Sequence, residues 1–254
     1  MQVLLSIITI NKNNNPGLIK TIESVIYQTF SDIEFIVVDG NSSDGSIETI
    51  SRYHQSFTKV IIEDDHGIYD AMNKGILQST GTYTLFLNSG DILAKHETLQ
   101  NVFKAIRDED LIYGDIFLQT PDGIKEYFYP AFLDFRYILN YVIPHQASFI
   151  RRELFIKIGL YNTTFKIVSD WEWTVRLLAF QNINYKHISE FITIYDTTGL
   201  SFQPGNQELI KSERKEAIER IFSKSLIEML KETSAPKPTS FSKTINRLFP
   251  RYFK

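Results

Sequence analysis

Three acidic side chains follow apolar runs of the sequence at positions where strands are expected to end. They are Asp39, Asp91 and Asp170, which close the segments 37–39, 85–91 and 168–170. A carboxylate at the carboxyl end of a buried parallel strand lies where open α/β sheets bind their ligands. Two such carboxylates can share a nucleotide and its metal ion, and a third can act on a second substrate. The spacing therefore favours a nucleotide-using transferase over a simple binding module.

Strands and helices alternate through the part of the chain that carries the first two acids. Apolar runs predict buried strands over 4–10, 34–39, 59–62 and 83–87. Apolar residues at helical spacing predict the intervening helices, over 18–30, 47–50 and 68–76. This alternation predicts an α/β fold with a doubly wound, mostly parallel sheet.

After residue 111 the alternation gives way to shorter elements. Strands are predicted over 111–116 and 125–129, and a short aromatic helix over 134–141. A longer helix is predicted over 169–180, with Ser169 as its N-cap. We therefore divide the body of the chain into a first half, 1–110, and an appended second half, 111–205.

The C-terminal part of the chain differs in composition from the body. Residues 206–232 carry apolar positions at helical spacing among many charges, which predicts one amphipathic helix. The segment 233–240 is rich in Ser, Thr and Pro, as linkers are. The tail, 241–254, combines aromatic and basic residues with no acid, which suits an anionic membrane surface. A helix docked on the body, or a frayed end, is the alternative for this tail.

The overall composition excludes several classes of protein. The chain has 254 residues and a formal net charge of -3, so no global field draws it to nucleic acid. It has no cysteine, which excludes a disulfide framework, a thiolate metal site and a cysteine nucleophile. The apolar start, 1–10, is too short to span a bilayer and lacks the basic residues of a signal peptide. These features predict a cytoplasmic protein.

Two polar clusters lie beside the predicted strand ends. In the segment 64–75, Asp70 and Lys74 fall within one helical turn of each other, and Asp65 is placed to cap the same helix. In Asn88-Ser89-Gly90-Asp91, the side-chain oxygens of the first and last residues are the kind of ligand that Mg²⁺ or Mn²⁺ takes beside substrate phosphates. Surface charges and an ordinary Asx turn are the structural alternatives.

The segment around Asp170 begins a helix and holds a second acid two residues on. Side chains two apart on a helix diverge, so Asp170 and Glu172 are expected to have different roles. The helix dipole stabilises Asp170 as an anion, and a carboxylate can act as a general base. Trp171 and Trp173 are expected to pack, although either ring could stack on a sugar. Helix capping alone is the alternative for Asp170.

Taken in order, these motifs resemble the family-two glycosyltransferases of the GT-A fold. The resemblance extends over residues 3–200 and is carried by the segments 6–11, 24–30, 34–40, 65–75, 87–91 and 144–146. It implies an inverting transfer from a nucleotide-diphosphate sugar, with a UDP-sugar as the default donor. The acceptor hydroxyl would belong to a saccharide or a lipid-linked saccharide in cell-surface polysaccharide or glycolipid assembly.

The resemblance also implies roles for individual residues. Asp170 falls at the position of the catalytic base, and Asp91 at that of the ligand for Mn²⁺ or Mg²⁺. The positions on the nucleotide-sugar side are Thr9, Asn11, Asp39, Asp70, Lys74, Asn88 and Ser89. The positions on the acceptor side are His145, Gln146, Trp171 and Glu172. The half 1–110 would thus bind the nucleotide sugar, and the half 111–205 would face the acceptor. The aromatic and basic composition of the tail, independently of the resemblance, predicts that it holds the enzyme at the inner face of the plasma membrane.

The segment 88–91 departs from the family pattern. The family's metal motif usually carries two or more acids, whereas Asp91 stands alone here, so either another group completes the shell or metal affinity is reduced. A catalytically silent nucleotide-sugar-binding protein is one alternative, and the thinned acid motif is its support. A sugar-nucleotide pyrophosphorylase is a second alternative, which the loop 11–17 disfavours because it lacks a Gly-rich phosphate-binding pattern.

Overall fold

A computed structural model describes residues 3–105 and 108–232 of the chain. Within these residues, nine strands form one sheet and nine α-helices pack around it or beyond it. The strands are β1 (Leu5–Asn11), β2 (Ile33–Asp39), β3 (Lys59–Ile62), β4 (Tyr83–Phe86), β5 (Ile92–Leu93), β6 (Leu111–Thr120), β7 (Gly123–Tyr127), β8 (Ser148–Arg151) and β9 (Tyr185–Asp196). The helices are α1 (Asn15–Ile26), α2 (Ser46–Arg52), α3 (Ile68–Gln78), α4 (Thr98–Ala105), α5 (Phe135–Asn140), α6 (Arg152–Ile158), α7 (Ser169–Phe180), α8 (Gln207–Ile221) and α9 (Lys224–Glu232).

The order of strands in the sheet is β3-β2-β1-β4-β8-β6-β9-β5, with β7 paired to β6. The first four strands in this order are parallel to one another. β8 is antiparallel to both β4 and β6, and β6 in turn is parallel to β9. The carboxyl ends of β1, β2 and β4 therefore lie on one edge of the sheet, and β8 joins them to the second half of the chain.

The strand β1 lies at the centre of the parallel region, and every one of its residues is buried. Continuous burial explains its apolar sequence, because helices cover a parallel strand on both faces. The helix α3 packs closely on it: a Cβ added at Gly75 would lie 2.3 Å from the side chain of Ile8. A larger residue at position 75 would push this helix, and with it Asp70, away from the sheet.

The C-terminal segment 206–232 was expected to form one helix and instead forms two. The helix α8 ends at Ile221 and is followed by Phe222, whose backbone is extended with φ -117° and ψ 148°. The Phe222 ring is buried between Phe135 and Phe180, at centroid distances of 5.6 and 5.8 Å. Burial of this ring favours the extended backbone that ends α8 over a continuous helix. The predicted linker and tail, 233–254, lie outside the described residues.

Five elements have no counterpart in the sequence predictions, namely β5, α4, β8, α6 and β9. The largest of them is β9, which is 12 residues long and pairs with β6 and β5. Its burial does not alternate cleanly between faces, which explains why a simple period of two does not reveal it. It matters to the site because its last residue, Asp196, lies beside Asp91.

A buried carboxylate at the other edge of the sheet ties β1 and β2 to the turn before β4. Glu34 is 4% exposed and accepts hydrogen bonds from the Ser6 hydroxyl and from the backbone and side chain of Thr80. It also accepts from the Gly81 N–H at 2.9 Å. Burial alone would raise the pKa of Glu34, but these hydrogen bonds lower it below its ordinary value.

We predict that Glu34→Gln lowers the free energy of unfolding at pH 7 by about 1–3 kcal/mol, because charge-assisted hydrogen bonds become neutral ones. Since the folded-state pKa is lowered, the stabilisation is present above the unfolded-state pKa and is lost as the pH falls through the folded-state pKa. Urea unfolding at pH 7 and at acidic pH measures both effects. The exposed Glu126→Gln serves as the control. Equal stability of the Glu34 variant and the wild type at pH 7 would contradict this account.

Candidate active site

One cavity of about 310 Å³ lies where β4 and β9 end and α7 begins. Two of the three acids singled out in the sequence, Asp91 and Asp170, line it. Other predicted residues that line it are Asn88, Ser89, His145, Gln146 and Trp171. The structure thus brings together side chains that are up to 83 positions apart in the chain, from Asn88 to Trp171.

Asp170 lies in the first turn of α7 and its carboxylate is held by three donors. The single O–H of Tyr69 is shared between Oδ1 at 2.9 Å and the Ile167 carbonyl at 2.6 Å, and His145 Nδ1 lies 3.0 Å from Oδ2. The Trp171 N–H also donates to Oδ1, at 2.9 Å. Burial alone would raise the pKa of Asp170, but its hydrogen bonds with His145 and the Tyr69 hydroxyl lower it. The cavity therefore contains a fixed carboxylate that stays ionised near neutral pH.

His145 joins this carboxylate to the segment after β4. An ionised carboxylate can only accept, so the ring donates to Asp170 from Nδ1. In the neutral imidazole Nε2 is then an acceptor, and it lies 3.1 Å from Asn88 Nδ2. With the ring neutral, the Asn88 amide has its nitrogen toward the ring, and its buried Oδ1 has no hydrogen-bond partner among the described residues. Asn88, His145 and Asp170 form a continuous chain of hydrogen bonds along the cavity.

Asp91 is 3% exposed and has a second carboxylate beside it, which the sequence analysis missed. The N–H of Asp196 donates to Asp91 Oδ1 at 2.9 Å. A Cβ added at Gly90, where φ is 110°, would lie 2.7 Å from Asp196 Oδ2, so glycine is needed for the carboxylate to lie against this turn. Burial raises the pKa of Asp91 to about 7, although the Asp196 N–H, His145 and Gln146 oppose the rise.

The oxygen atoms of this corner fit a hard divalent cation. Two carboxylates and the unpartnered Asn88 Oδ1 are the donor types that Mg²⁺ and Mn²⁺ prefer. A cation would also favour the ionised form of Asp91, which burial alone disfavours. Within the described part of the chain, no group of three or more His, Cys, Asp or Glu side chains is placed to hold a metal ion. The protein would therefore supply part of a coordination shell, with room for ligands from a substrate.

Asp39 and Asn11 form a separate cluster on the same edge of the sheet, outside the lining of the cavity. Asp39 is fully buried and accepts from Asn11 Nδ2 at 2.6 Å and from the Ser42 N–H at 2.7 Å. Within residues 3–105 and 108–232, the buried atoms Thr9 Oγ1 and Asn11 Oδ1 have no hydrogen-bond partner. The loop after β1 links this cluster to the cavity, because Asn14 Nδ2 donates to the Ser89 carbonyl at 2.8 Å.

Asp70 and Lys74 face each other on α3, as predicted. Lys74 Nζ lies 3.3 Å from Asp70, 2.8 Å from Asp65 and 3.1 Å from Glu63. Burial alone would lower the pKa of Lys74, but hydrogen bonds with these three carboxylates raise it. Asp65 was expected to cap α3 and does not: the N-cap is Gly67, and no side chain caps it. The carboxylate of Asp65 instead binds Lys74, which satisfies it more strongly than a backbone N–H would.

The two acids of α7 diverge, as their spacing predicted. Glu172 is buried and forms an ion pair with Arg176 at 2.7 Å, and it is not among the residues that line the cavity. Trp171 lines the cavity but is 1% exposed, and its Nε1 donates to the Ile138 carbonyl at 2.8 Å. Trp173 packs against Phe155 with ring centroids 4.4 Å apart. Of these residues, Asp170 has the carboxylate that faces the cavity.

The start of α7 is held by a residue from α8 and not by Ser169. Ser169 was expected to be the N-cap, but it is the first helical residue, and its buried hydroxyl has no partner among the residues that the structure describes. The carboxylate of Glu213 accepts from the N–H groups of Lys166, Ile167 and Val168, at 2.6, 3.0 and 3.3 Å. A carboxylate from elsewhere in the fold thus binds the backbone just before the helix. Nothing in the local sequence of α7 signals this contact.

The comparisons with known proteins agree on one family. Residues 6–167 match the family model of glycosyl transferase family 2. The chain is 30% identical over 203 residues to a "PGL/p-HBAD biosynthesis glycosyltransferase" of Mycobacterium bovis, covering 77% of this chain and 78% of that protein. It is 27% identical over 140 residues to the glycosyltransferase GlyG of Streptococcus pneumoniae, covering 53% of this chain and 46% of that protein.

Solved structures share the fold at low sequence identity. S. aureus TarS in complex with UDP-GlcNAc has a TM-score of 0.68 and 16% identity, covering 89% of this chain and 69% of that chain. The mannosyltransferase PcManGT from Pyrobaculum calidifontis, in complex with GDP-Man and Mn²⁺, has a TM-score of 0.61 and 15% identity, covering 93% of this chain and 66% of that chain. These likenesses concern the fold.

The chain belongs to glycosyl transferase family 2. The predicted α/β fold of the GT-A type is confirmed, and the protein is a glycosyltransferase. In residues 3–105 and 108–232, no helix combines the length and the apolar composition needed to cross a bilayer.

Proposed function

We propose that this glycosyltransferase moves a sugar from a nucleotide-diphosphate sugar to an acceptor hydroxyl, with inversion at the anomeric carbon. The observation that carries the proposal is that Asp170, a carboxylate fixed by three donors, lines the same cavity as Asp91. One acid is thus available for proton transfer and another for the diphosphate end of the donor. The mycobacterial relative named for PGL/p-HBAD biosynthesis supports a role in cell-surface glycolipid or polysaccharide assembly.

In the proposed reaction, Asp170 accepts the proton of the acceptor hydroxyl as that oxygen attacks the anomeric carbon. The attack comes from the face opposite the leaving diphosphate, so the configuration inverts. His145 and Tyr69 act as positioning residues, because their hydrogen bonds fix the carboxylate and keep it ionised. Asp170 needs no raised pKa for this role, since the proton leaves the acceptor hydroxyl while the new bond to the anomeric carbon forms.

The donor side is assigned to the edge of the sheet formed by β1, β2 and β4. We assign Thr9, Asn11 and Asp39 to the nucleoside, together with Asp70 and Lys74 on α3. A bound Mn²⁺ or Mg²⁺ would be held by Asp91 and Asp196, and it would neutralise negative charge on the leaving diphosphate. UDP is the favoured nucleotide, because structures of TarS contain UDP or UDP-GlcNAc. GDP is the alternative, because the structure of PcManGT contains GDP-Man.

We predict that Asp170→Asn lowers the turnover rate by about 10²–10⁴-fold, the usual contribution of one positioned base. Donor affinity should stay near that of the wild type, because the substitution keeps the size and shape of the side chain. Transfer measured with a panel of nucleotide sugars, together with calorimetric donor binding, separates the two effects.

The matched control is Asp122→Asn, which removes a carboxylate that is 84% exposed, in the turn between β6 and β7. This variant should retain full activity. Wild-type turnover in the Asp170 variant would remove that residue from the role of base. Absence of transfer by the wild type with every donor, despite tight donor binding, would favour a silent binding protein.

We predict that Asp91→Asn and Asp196→Asn each weaken Mn²⁺-supported donor binding at least about tenfold, as even outer-shell changes do at metal sites. Isothermal calorimetry of UDP, GDP, CDP and dTDP with and without Mn²⁺ measures this effect, and UDP should bind most tightly. Asp122→Asn again serves as the control. If the wild type bound the nucleotide equally well with and without Mn²⁺, the assignment of the cation to Asp91 would be wrong.

The tail, 241–254, is proposed to hold the enzyme at an anionic membrane surface near a lipid-linked acceptor. Its support is the aromatic and basic composition described above. We predict that the full chain co-sediments with anionic liposomes and that a chain ending at Thr233 does so much less. Neutral liposomes are the control. Equal sedimentation of the two chains with anionic vesicles would exclude this role for the tail.

A further inference from the structure

Arg214 on α8 is a buried cation that lines the cavity. Its side chain is 3% exposed, and its Cζ lies 4.7 Å from the centroid of the Trp171 ring. Its Nη1 donates to the Asn140 carbonyl at 3.1 Å, while its buried Nε has no hydrogen-bond partner in the described part of the chain. No ion pair found within the described residues includes Arg214. Its charge therefore has no carboxylate partner in direct contact.

A purely structural role accounts for part of this arrangement. Asn140 is the last residue of α5, and a cation near the carbonyl end of a helix is favourable. The contact with Trp171 adds a cation–π interaction that anchors α8 on α7. Neither contact uses Nε, and neither supplies a negative charge. Burial of an arginine with an unsatisfied N–H is costly unless a further partner binds there.

The lining of the cavity contains both acidic and basic side chains. Its β4–β9 corner carries the carboxylates of Asp91 and Asp196, whereas Arg214 and the exposed Lys166 belong to its α7–α8 side. Asp170 is coupled to both, because its charge acts on Arg214 and its partner His145 acts on Asp91. Arg214 and the two carboxylates Asp91 and Asp196 thus line the same cavity as the candidate base.

We propose that the acceptor carries an anionic oxygen group, a phosphate or a carboxylate, that binds Arg214 and so directs the acceptor hydroxyl to Asp170. This inference rests on the proposed function, since it defines the class of acceptor for the same site. The planar guanidinium matches two oxygens of such a group, and Lys166 adds a second positive charge to the lining of the cavity. A neutral saccharide could offer a hydroxyl oxygen to the Arg214 Nε, but it would bring no negative charge to the guanidinium.

The test uses the full chain with saturating UDP and Mg²⁺, so that the donor side is occupied. Binding of methyl glucoside, glucose 6-phosphate and glucuronate is measured by ligand-observed NMR and calorimetry. We expect an anionic sugar to bind and the neutral sugar not to bind at the same concentration. The phosphate and carboxylate arms show which group the site prefers.

Arg214→Met should weaken binding of the anionic sugar about 10- to 100-fold, the range for lost charge-assisted hydrogen bonds. Arg214→Lys should restore part of this loss, and Lys166→Met should weaken binding less, because Lys166 is exposed. If Arg214→Met does not fold, the lysine variant and Lys166→Met still decide the question, since unchanged binding in both would overturn the inference.

Two other results would also overturn it. One is equal binding of neutral and anionic sugars. The other is competition of the anionic sugars with UDP together with weaker UDP binding in the Arg214 variants, which would assign the arginine to the donor. Failure of the wild type to bind any nucleotide would instead count against the proposed function, so the two failures are distinguishable.

Discussion

The hydrogen-bond chain from Asn88 through His145 to Asp170 is the interaction on which the site depends. It joins three segments that are far apart in sequence, and each member fixes the next. In the neutral ring of His145, the negative charge of Asp170 sets which nitrogen carries the proton, and the ring then sets which way the Asn88 amide points. The side-chain oxygen of Asn88 consequently points away from the His145 ring. The charge that determines this orientation, that of Asp170, lies on the other side of the ring. The orientation of the Asn88 amide, in the same turn as Asp91, is thereby linked to the ionisation of Asp170, the candidate base.

The sequence predicted the parallel region of the sheet well, because strands buried on both faces have continuous apolar runs that end at polar loops. The acids at those ends, Asp39 and Asp91, followed from the same pattern. The strand β9 was missed because its burial is irregular, and Asp196 was missed with it. A signal did exist: the run 191–195 is largely apolar and ends at Asp196, as the other two acids follow apolar runs.

The contacts from α8 could not be predicted from local sequence. Glu213 and Arg214 belong to a helix with many charges, a pattern typical of a solvent-exposed surface, yet both are buried. Their partners lie 45–74 residues away, in the segment before α7 and at the end of α5. The spacing of Asp170 and Glu172 was informative because it depends only on helix geometry, whereas the identity of the group at the start of α7 depends on tertiary packing.

The contact of Glu213 with the backbone of 166–168 has a consequence for how the catalytic unit is delimited. The family match ends at residue 167, so both Asp170 and the carboxylate that holds the start of its helix lie beyond it. A fragment cut at that boundary would keep most of the parallel sheet and lose the candidate base, while one that kept α7 without α8 would leave three backbone N–H groups without their acceptor. The smallest unit with an intact candidate site therefore includes α8, a helix that the family match does not reach.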